Sequence, residues 1–172
     1  MHTTLHKVSD LTVEQNAARK TLSETCYPPG IPWHGESIEW SRVDWSSICW
    51  ENNVAHAHAG GIIRQGTLNS KPVKIGGVGG VMTLPESRGQ GLASDSIRLL
   101  LELFERENVD FVLLVCEKHL IPMYEKLGFR IHDGEMMVTQ RGKEERFDFN
   151  HVMTRSVRAT ETGSLNLMGP PW

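Results

Sequence analysis

The sequence predicts an α/β fold from three consecutive features. A glycine-punctuated extended segment, Val73 to Leu84, leads into the turn Arg88-Gly89-Gln90-Gly91-Leu92-Ala93. In the stretch that follows, Ile97, Leu100, Leu101 and Phe104 recur at helical spacing, and a continuous apolar run, Phe111 to Cys116, comes next. Strand, turn, amphipathic helix and fully buried strand together make a βαβ unit. A chain of 172 residues is the length of one domain, large enough to hold a core without metal or cross-links. The domain is expected to span 1–172, with its core over about 47–157 and an irregular tail over 158–172.

From the N-terminus, Asp10 is placed to cap a helix in which Leu11, Ala18 and Leu22 recur. The helix must stop before Tyr27-Pro28-Pro29-Gly30-Ile31-Pro32, which is a loop because proline cannot continue it. Trp33, Trp40, Trp45 and Trp50, four of the five tryptophans, then fall close together. They read either as core packing or as the apolar wall of a substrate cleft. Ser47 to Trp50 and Val54 to Ile63 form strands joined by a turn at Glu51-Asn52-Asn53. After a polar break at Gly66 to Lys71, the Val73 to Leu84 strand carries glycines at 76, 77, 79 and 80, the mark of a bulge or of a place where another molecule's backbone approaches closely. Beyond the βαβ unit, a short helix around Pro122 to Lys126 is closed by Gly128. A late hairpin pairs about Glu135 to Gln140 with His151 to Val157 across a charged turn at Thr139 to Phe147. There is no internal repeat.

Composition narrows the classes of function. Hydrophobic residues at 39% and charged residues at 23% describe a soluble globule. A net charge of −3 with mixed signs argues against a nucleic-acid partner. No leader-like segment or membrane-length apolar run is seen, so a cytoplasmic protein with no membrane partner is expected. Cys26, Cys49 and Cys116 show no CxxC spacing, so neither a disulfide framework nor a zinc site is expected. His56 and His58 share one face of a strand but lack a third ligand, and no metal is assigned to them.

The backbone N–H groups of Gly89 through Ala93 fall where a strand gives way to a helix. They can converge on an anion with help from the helix dipole. Gly89 and Gly91 leave room for phosphate oxygens, and Arg88 supplies a forked cation. No Lys-Ser/Thr follows the glycines, which excludes a Walker loop, and the Arg-first order does not fit GxGxxG. An ordinary strand-to-helix turn is the alternative.

These residues resemble a known family. Arg88, Gly91 and Ala93 match the Arg/Gln-x-x-Gly-x-Gly/Ala loop of the GCN5-related N-acetyltransferases (GNAT). Val81-Met82-Thr83-Leu84-Pro85 resembles the family's fourth strand and its exit. Pro122-Met123-Tyr124-Glu125-Lys126-Leu127-Gly128-Phe129 resembles its FYEKLGF signature. The resemblance covers roughly Val54 to Val157 and implies a mixed, mostly antiparallel sheet with splayed central strands flanked by helices. It implies acetyl-CoA as co-substrate, its pantetheine along Val81, Met82 and Thr83 and its pyrophosphate on Arg88, Gly89, Gln90, Gly91, Leu92 and Ala93. The reaction implied is direct acetyl transfer through a tetrahedral intermediate to a primary amine of a small molecule. A non-catalytic acyl-CoA sensor and a protein or peptide N-acetyltransferase are the alternatives. A homodimer, through an apolar sheet edge near the late hairpin, stays open.

By the same resemblance, Tyr124 protonates the departing sulfur and the Met82 N–H serves the oxyanion. The base is where the chain departs from the family, because Gly79 and Gly80 stand where many relatives carry a fourth-strand Glu. Glu117, water, or the Trp172 carboxylate are the substitutes, against a merely solvated role for Glu117. A covalent route through Cys116 is disfavoured, since a thiol ending an apolar strand is usually inert. A narrower likeness, to the aminoglycoside 2′-N-acetyltransferases, rests on Trp50 to Ala59 and the Trp172 end, with Glu36, Glu39 and Asp44 as the acidic supply. Trp33, Glu36 and Trp172 are the expected substrate-binding residues.

Overall fold

A computed structural model describes residues 1–28, 37–158 and 162–172. Strand β1 (His2–Lys7) precedes helix α1 (Val13–Cys26). The α1 cap is Thr12, not Asp10: the Thr12 hydroxyl accepts from Gln15 N–H while the Gln15 side chain accepts from Thr12 N–H. Asp10 instead ends a single 3₁₀ turn. This reciprocal box satisfies two otherwise orphaned N–H groups, which a lone Asp two residues earlier would not.

Strands β2 (Trp45–Glu51) and β3 (Val54–Leu68) form the expected hairpin, turning on Asn52 and Asn53, both at positive φ. The 15-residue β3 runs through the first half of the anticipated polar break, and Asn69-Ser70 makes a second tight turn into β4 (Lys71–Thr83). Helix α2 (Leu92–Arg106), strand β5 (Phe111–Cys116) and short helix α3 (Ile121–Glu125) follow as expected. Gly128, at φ +85, closes the α3 turn.

The late hairpin is different from the one anticipated. Strand β7 (Met136–Gln140) pairs with β8 (Lys143–Arg146), inside the segment expected to be a turn. Strand β9 (His151–Ser156) instead pairs antiparallel with β5 and with the short β6 (Arg130–Ile131). Arg141 and Gly142 both take positive φ and make the tight turn. The tail also contributes a strand, β10 (Leu165–Asn166), which bridges β3 and β7.

The strand order is β6-β9-β5-β4-β3-β10-β7-β8, with β2 on the other half of the long β3 and β1 outside β2. Successive β4 residues face opposite sides. A Cβ on Gly76 would meet the Phe104 ring of α2, and one on Gly77 would overlap the Trp172 indole. The α2 face is packed by Val78, Ile97, Leu100, Phe104, Val112 and Leu114. The opposite face is covered in one half by Ile62, Ile75, Leu113, Met136, Leu165 and Trp172, and in the other by α1 through Leu22 against Ile48 and Met82.

The sheet is opened at its centre. β4 and β5 pair in parallel only from Ile75–Phe111 to Val78–Leu114. Beyond that point β4 stays with β3 as far as Thr83, and β5 stays with β9 as far as Cys116. The two strands therefore part company just where each approaches its C-terminal end.

Candidate active site

The parted strands open into a cavity of about 1370 Å³. Val78 to Met82 line it from β4, Val115 and Cys116 from β5, Glu117 to Lys118 beyond it, and Tyr124 from α3. The opposing wall comes from α1 (Arg19, Ser23) and Tyr27 just past its end, from Trp40 to Val43, and from Phe149, His151 and Trp172.

A bulge sets the direction of the β4 backbone. His58 stands opposite Met82 and Gly60 opposite Gly79, so β4 carries one residue more than β3 between those pairs. Gly80 takes φ +55, which a side chain would strain. Leu84 N–H donates to the His56 carbonyl at 2.9 Å, so with period two Met82 also turns its backbone toward β3. Val81 and Thr83 turn theirs outward, where their carbonyls meet the Tyr27 hydroxyl and the Cys26 thiol, each at 3.5 Å. The amide expected to face the reaction, Met82 N–H, is therefore directed into the β3 ladder. The outward amides are those of Val81 and Thr83, because the extra residue shifts the alternation by one.

Past β4, a 3₁₀ turn at Pro85–Ser87 delivers the exposed loop Arg88 to Gly91. Gly89 and Gly91 take φ of +78 and +83, and a Cβ at either would meet nothing within 4 Å. Among the described residues, no protein group accepts a hydrogen bond from the amides of Gly89 to Ala93. Gly91, at the start of α2, offers no side-chain cap, so the helix N-terminus is open. Leu92 is buried and anchors that end of α2, beside Cys49 and Ala57. The Arg88 Nε donates to the Thr83 carbonyl at 3.4 Å, which leans the guanidinium back along the strand exit.

Tyr124 is 4% exposed and its ring meets Phe129 edge-on at 6.0 Å. Burial pushes its hydroxyl well above the ordinary phenol range, with neighbouring Cys116 and Tyr27 adding to the shift, so it keeps its proton at neutral pH. Burial likewise raises the Cys116 thiol to about 11, aided by Glu117, and its Sγ lies 3.6 Å from the Met153 sulfur. A thiol so protonated is a poor nucleophile. Glu117 is exposed on the cavity rim and pairs with His119 at 3.3 Å.

Trp172 lines the cavity, yet its indole belongs to the core. Nε1 donates to the Leu113 carbonyl at 3.1 Å, and the Arg64 guanidinium lies 5.2 Å over the ring. Its main chain fills the space a side chain at Gly79 would need: a Cβ there would lie 2.6 Å from the Trp172 carbonyl carbon. The glycines of β4 are thus explained residue by residue, Gly76 by Phe104, Gly77 and Gly79 by Trp172, and Gly80 by the bulge. Arg64 also donates to the Pro170 carbonyl and the Ser41 hydroxyl, tying the tail to the loop before β2.

Other sequence-predicted residues sort differently. Trp33 and Glu36 lie outside the described residues. Trp40 lines the cavity and meets Phe149 edge-on at 6.4 Å, whereas Trp50 packs in the core and donates to Thr4. Glu39 is not on the described cavity wall; its carboxylate accepts the Arg141 N–H of the β7–β8 turn. Asp44 is also off that wall. The charged lining combines Arg19, Arg42 and Lys118 with Glu117 and Asp148, so the described wall is not the acidic one a polycationic sugar would require. Sequence reasoning missed Arg19, Ser23 and Tyr27, because the face of α1 that Arg19 and Ser23 share carries no apolar stripe to announce it. It also missed the 148–151 segment, which only the β5–β9 pairing brings in.

A family model for the acetyltransferase (GNAT) domain matches residues 35–132. Among solved structures, an acyl-CoA N-acyltransferase from Pseudomonas aeruginosa is 19% identical with a TM-score of 0.62, over 90% of this chain and 99% of its own. Escherichia coli ElaA is 18% identical with a TM-score of 0.64 over the same shares, 90% and 99%. A GNAT family acetyltransferase from Brucella melitensis, solved in complex with acetyl-CoA, is 16% identical with a TM-score of 0.55, over 75% of this chain and 83% of its own. No curated protein matches. Among the described residues no helix is long and apolar enough to cross a membrane. The parted β4 and β5, the uncommitted amides after β4 and the family match over more than half of its length agree: the chain belongs to the GNAT acetyltransferase family.

Proposed function

We propose that this protein moves an acetyl group from acetyl-CoA to a primary amine of a small molecule. The observation that carries the reading is the set of five undonated amides, Gly89 to Ala93, in the loop that follows the β4 segment lining the cavity between β4 and β5. The residues present fit the co-substrate. Positive-φ glycines free of side-chain crowding suit phosphate oxygens against the main chain. Arg88 adds a charge-assisted contact, and the outward backbone of Val81 and Thr83 suits an amide-bearing arm beside Met82.

Acetyl-CoA supplies an activated thioester. Toward it the Val81 or Thr83 N–H offers a fixed donor, and Tyr124, held protonated by burial, lends its proton to the sulfur. Cys116 stays a spectator. Glu117 accepts the proton of the incoming amine, directly or through water, since Gly79 has given up its side chain to the Trp172 backbone. Trp40, Phe149 and Trp172 close the opposing wall, which favours a small amine over an extended peptide.

Arg88→Ala should weaken coenzyme A binding by roughly 1.5 to 3 kcal/mol, about 10- to 150-fold, in calorimetry. Unchanged affinity would overturn the phosphate assignment. Thiol release from acetyl-CoA across a panel of small amines tests the transfer itself. The absence of a β4 carboxylate favours one second reading, an acyl-CoA sensor, for which the same panel shows binding and no turnover.

A further inference from the structure

His58 has no part in the chemistry above, yet it sits 2% exposed beside the β4 bulge with both ring nitrogens engaged. Nδ1 lies 2.8 Å from the Gly80 carbonyl and Nε2 lies 2.8 Å from the Ser46 hydroxyl. A carbonyl can only accept, so Nδ1 carries the hydrogen and Ser46 donates to Nε2. We infer that His58 is a positioning residue for acetyl transfer: its Nδ1–H, held in place by Ser46, pins the Gly80 carbonyl and so fixes the bulge that turns the Val81 N–H toward the cavity.

The register shows what the pin protects. Gly60 faces Gly79 on one side of the bulge and His58 faces Met82 on the other. Without the extra residue, Val81 would stand opposite His58 and its N–H would enter the β3 ladder. A bulge leaves its extra residue outside the ladder, and an unpinned Gly at φ +55 has many other conformations open to it. Gly80 itself is exposed, but its carbonyl is drawn inward to accept from the buried His58 ring, its side-chain partner among the described residues. Burial lowers the ring's pKa to about 4, and the Arg19 charge adds to that, so the ring stays neutral during turnover. With both nitrogens committed, His58 is unsuited to serve as the base itself.

The proposal rests on the acetyltransferase reading, and the test separates the two. In His58→Asn the carboxamide N–H falls near the Nδ1 position and can reach Gly80; in His58→Gln it falls near Nε2 and reaches Ser46 instead. Both variants remain polar and close in size, so a general loss of packing would affect them alike. With the best amine of the panel, His58→Asn should keep kcat within a few-fold of the parent, and His58→Gln should lose on the order of 10- to 100-fold, the scale of a misplaced transition-state donor. Calorimetric affinity for coenzyme A should hold in both, because the Arg88 to Ala93 loop is untouched. Amide hydrogen exchange at Gly80 to Thr83 should be parent-like in His58→Asn and faster in His58→Gln. Equal kcat in the two variants, or equal exchange, overturns the positioning role. If the parent binds coenzyme A but acetylates no amine, the proposed function fails, and the exchange comparison alone decides the role of His58. A His58→Asn variant that does not fold also counts against the pin.

Discussion

Two regions around the cavity are built in opposite ways. The first is one continuous stretch: the end of β4, which lines the cavity, and then the Arg88 to Gly91 loop and α2, which lie off the described lining, run from residue 79 to 106 without interruption. The facing wall is gathered from α1, the 40–43 loop, the 148–151 segment and Trp172, which meet only in the folded chain. Contiguous chain suits a task that never varies, such as the proposed holding of coenzyme phosphates on local backbone amides. A wall of distant pieces can change one piece at a time, which suits the selection of an acceptor. The two regions should therefore fail separately when mutated.

The largest expected effect breaks the chemistry and spares binding. Tyr124→Phe removes the proposed proton donor while keeping the ring on Phe129, and should lower kcat by about 100-fold or more with coenzyme A affinity unchanged in calorimetry. A parent-like kcat would remove Tyr124 from the reaction. Next in size is a cut confined to the facing wall. Gly77→Ala sets a methyl against the Trp172 indole and should cost about 1–3 kcal/mol of stability in urea denaturation. It should also raise KM for the amine more than KM for acetyl-CoA. The reverse pattern would mean that the tail supports the coenzyme side.

A smaller effect appears in the pH dependence of stability. His58 has a folded pKa of about 4 against an ordinary value of 6.5, so the unfolded chain binds the extra proton between those limits. Its contribution is full above pH 6.5 and is lost as pH falls toward about 4. Thermal melts of the parent and His58→Asn across this range should show a shallower acid limb in the variant; parallel limbs would contradict the buried neutral ring. The smallest expected effect is a control at the capped end of α1, itself off the described lining: Thr12→Ala, which removes the cap, should cost roughly 0.5–2 kcal/mol and leave kcat and coenzyme A affinity alone.

The same contrast governs how much could be read from sequence. Local rules exposed α2, β5 and the Gly89-Gly91 turn, because helical periodicity, an unbroken apolar run and paired glycines leave marks within a few residues. The β4 glycines were visible as a bulge or as a close approach by another molecule's backbone; the bulge is at Gly80, whereas Gly76, Gly77 and Gly79 make room for this chain's own Phe104 and Trp172, the latter far along the chain. The late hairpin went astray for a related reason. Lys143–Arg146 is exposed at every position, so β8 has no alternating pattern, and its pairing is set by the positive-φ turn at Arg141-Gly142. β1 and β10 were missed because their pairing with β2, β3 and β7 comes from tertiary contacts. The facing wall of the site was hidden for the same reason. The choice of outward amide was hidden too, since one extra residue in β4 moves it from Met82 to Val81.

The central claim is that the parted strands and the open α2 terminus together hold coenzyme A. Titrating ¹⁵N-labelled protein with coenzyme A and following every backbone amide tests it most directly. The account predicts saturable shifts concentrated at Gly89 to Ala93 and at Val81 and Thr83, with the β7–β8 hairpin unmoved. Saturable shifts that leave those amides in place and cluster elsewhere on the sheet would contradict it.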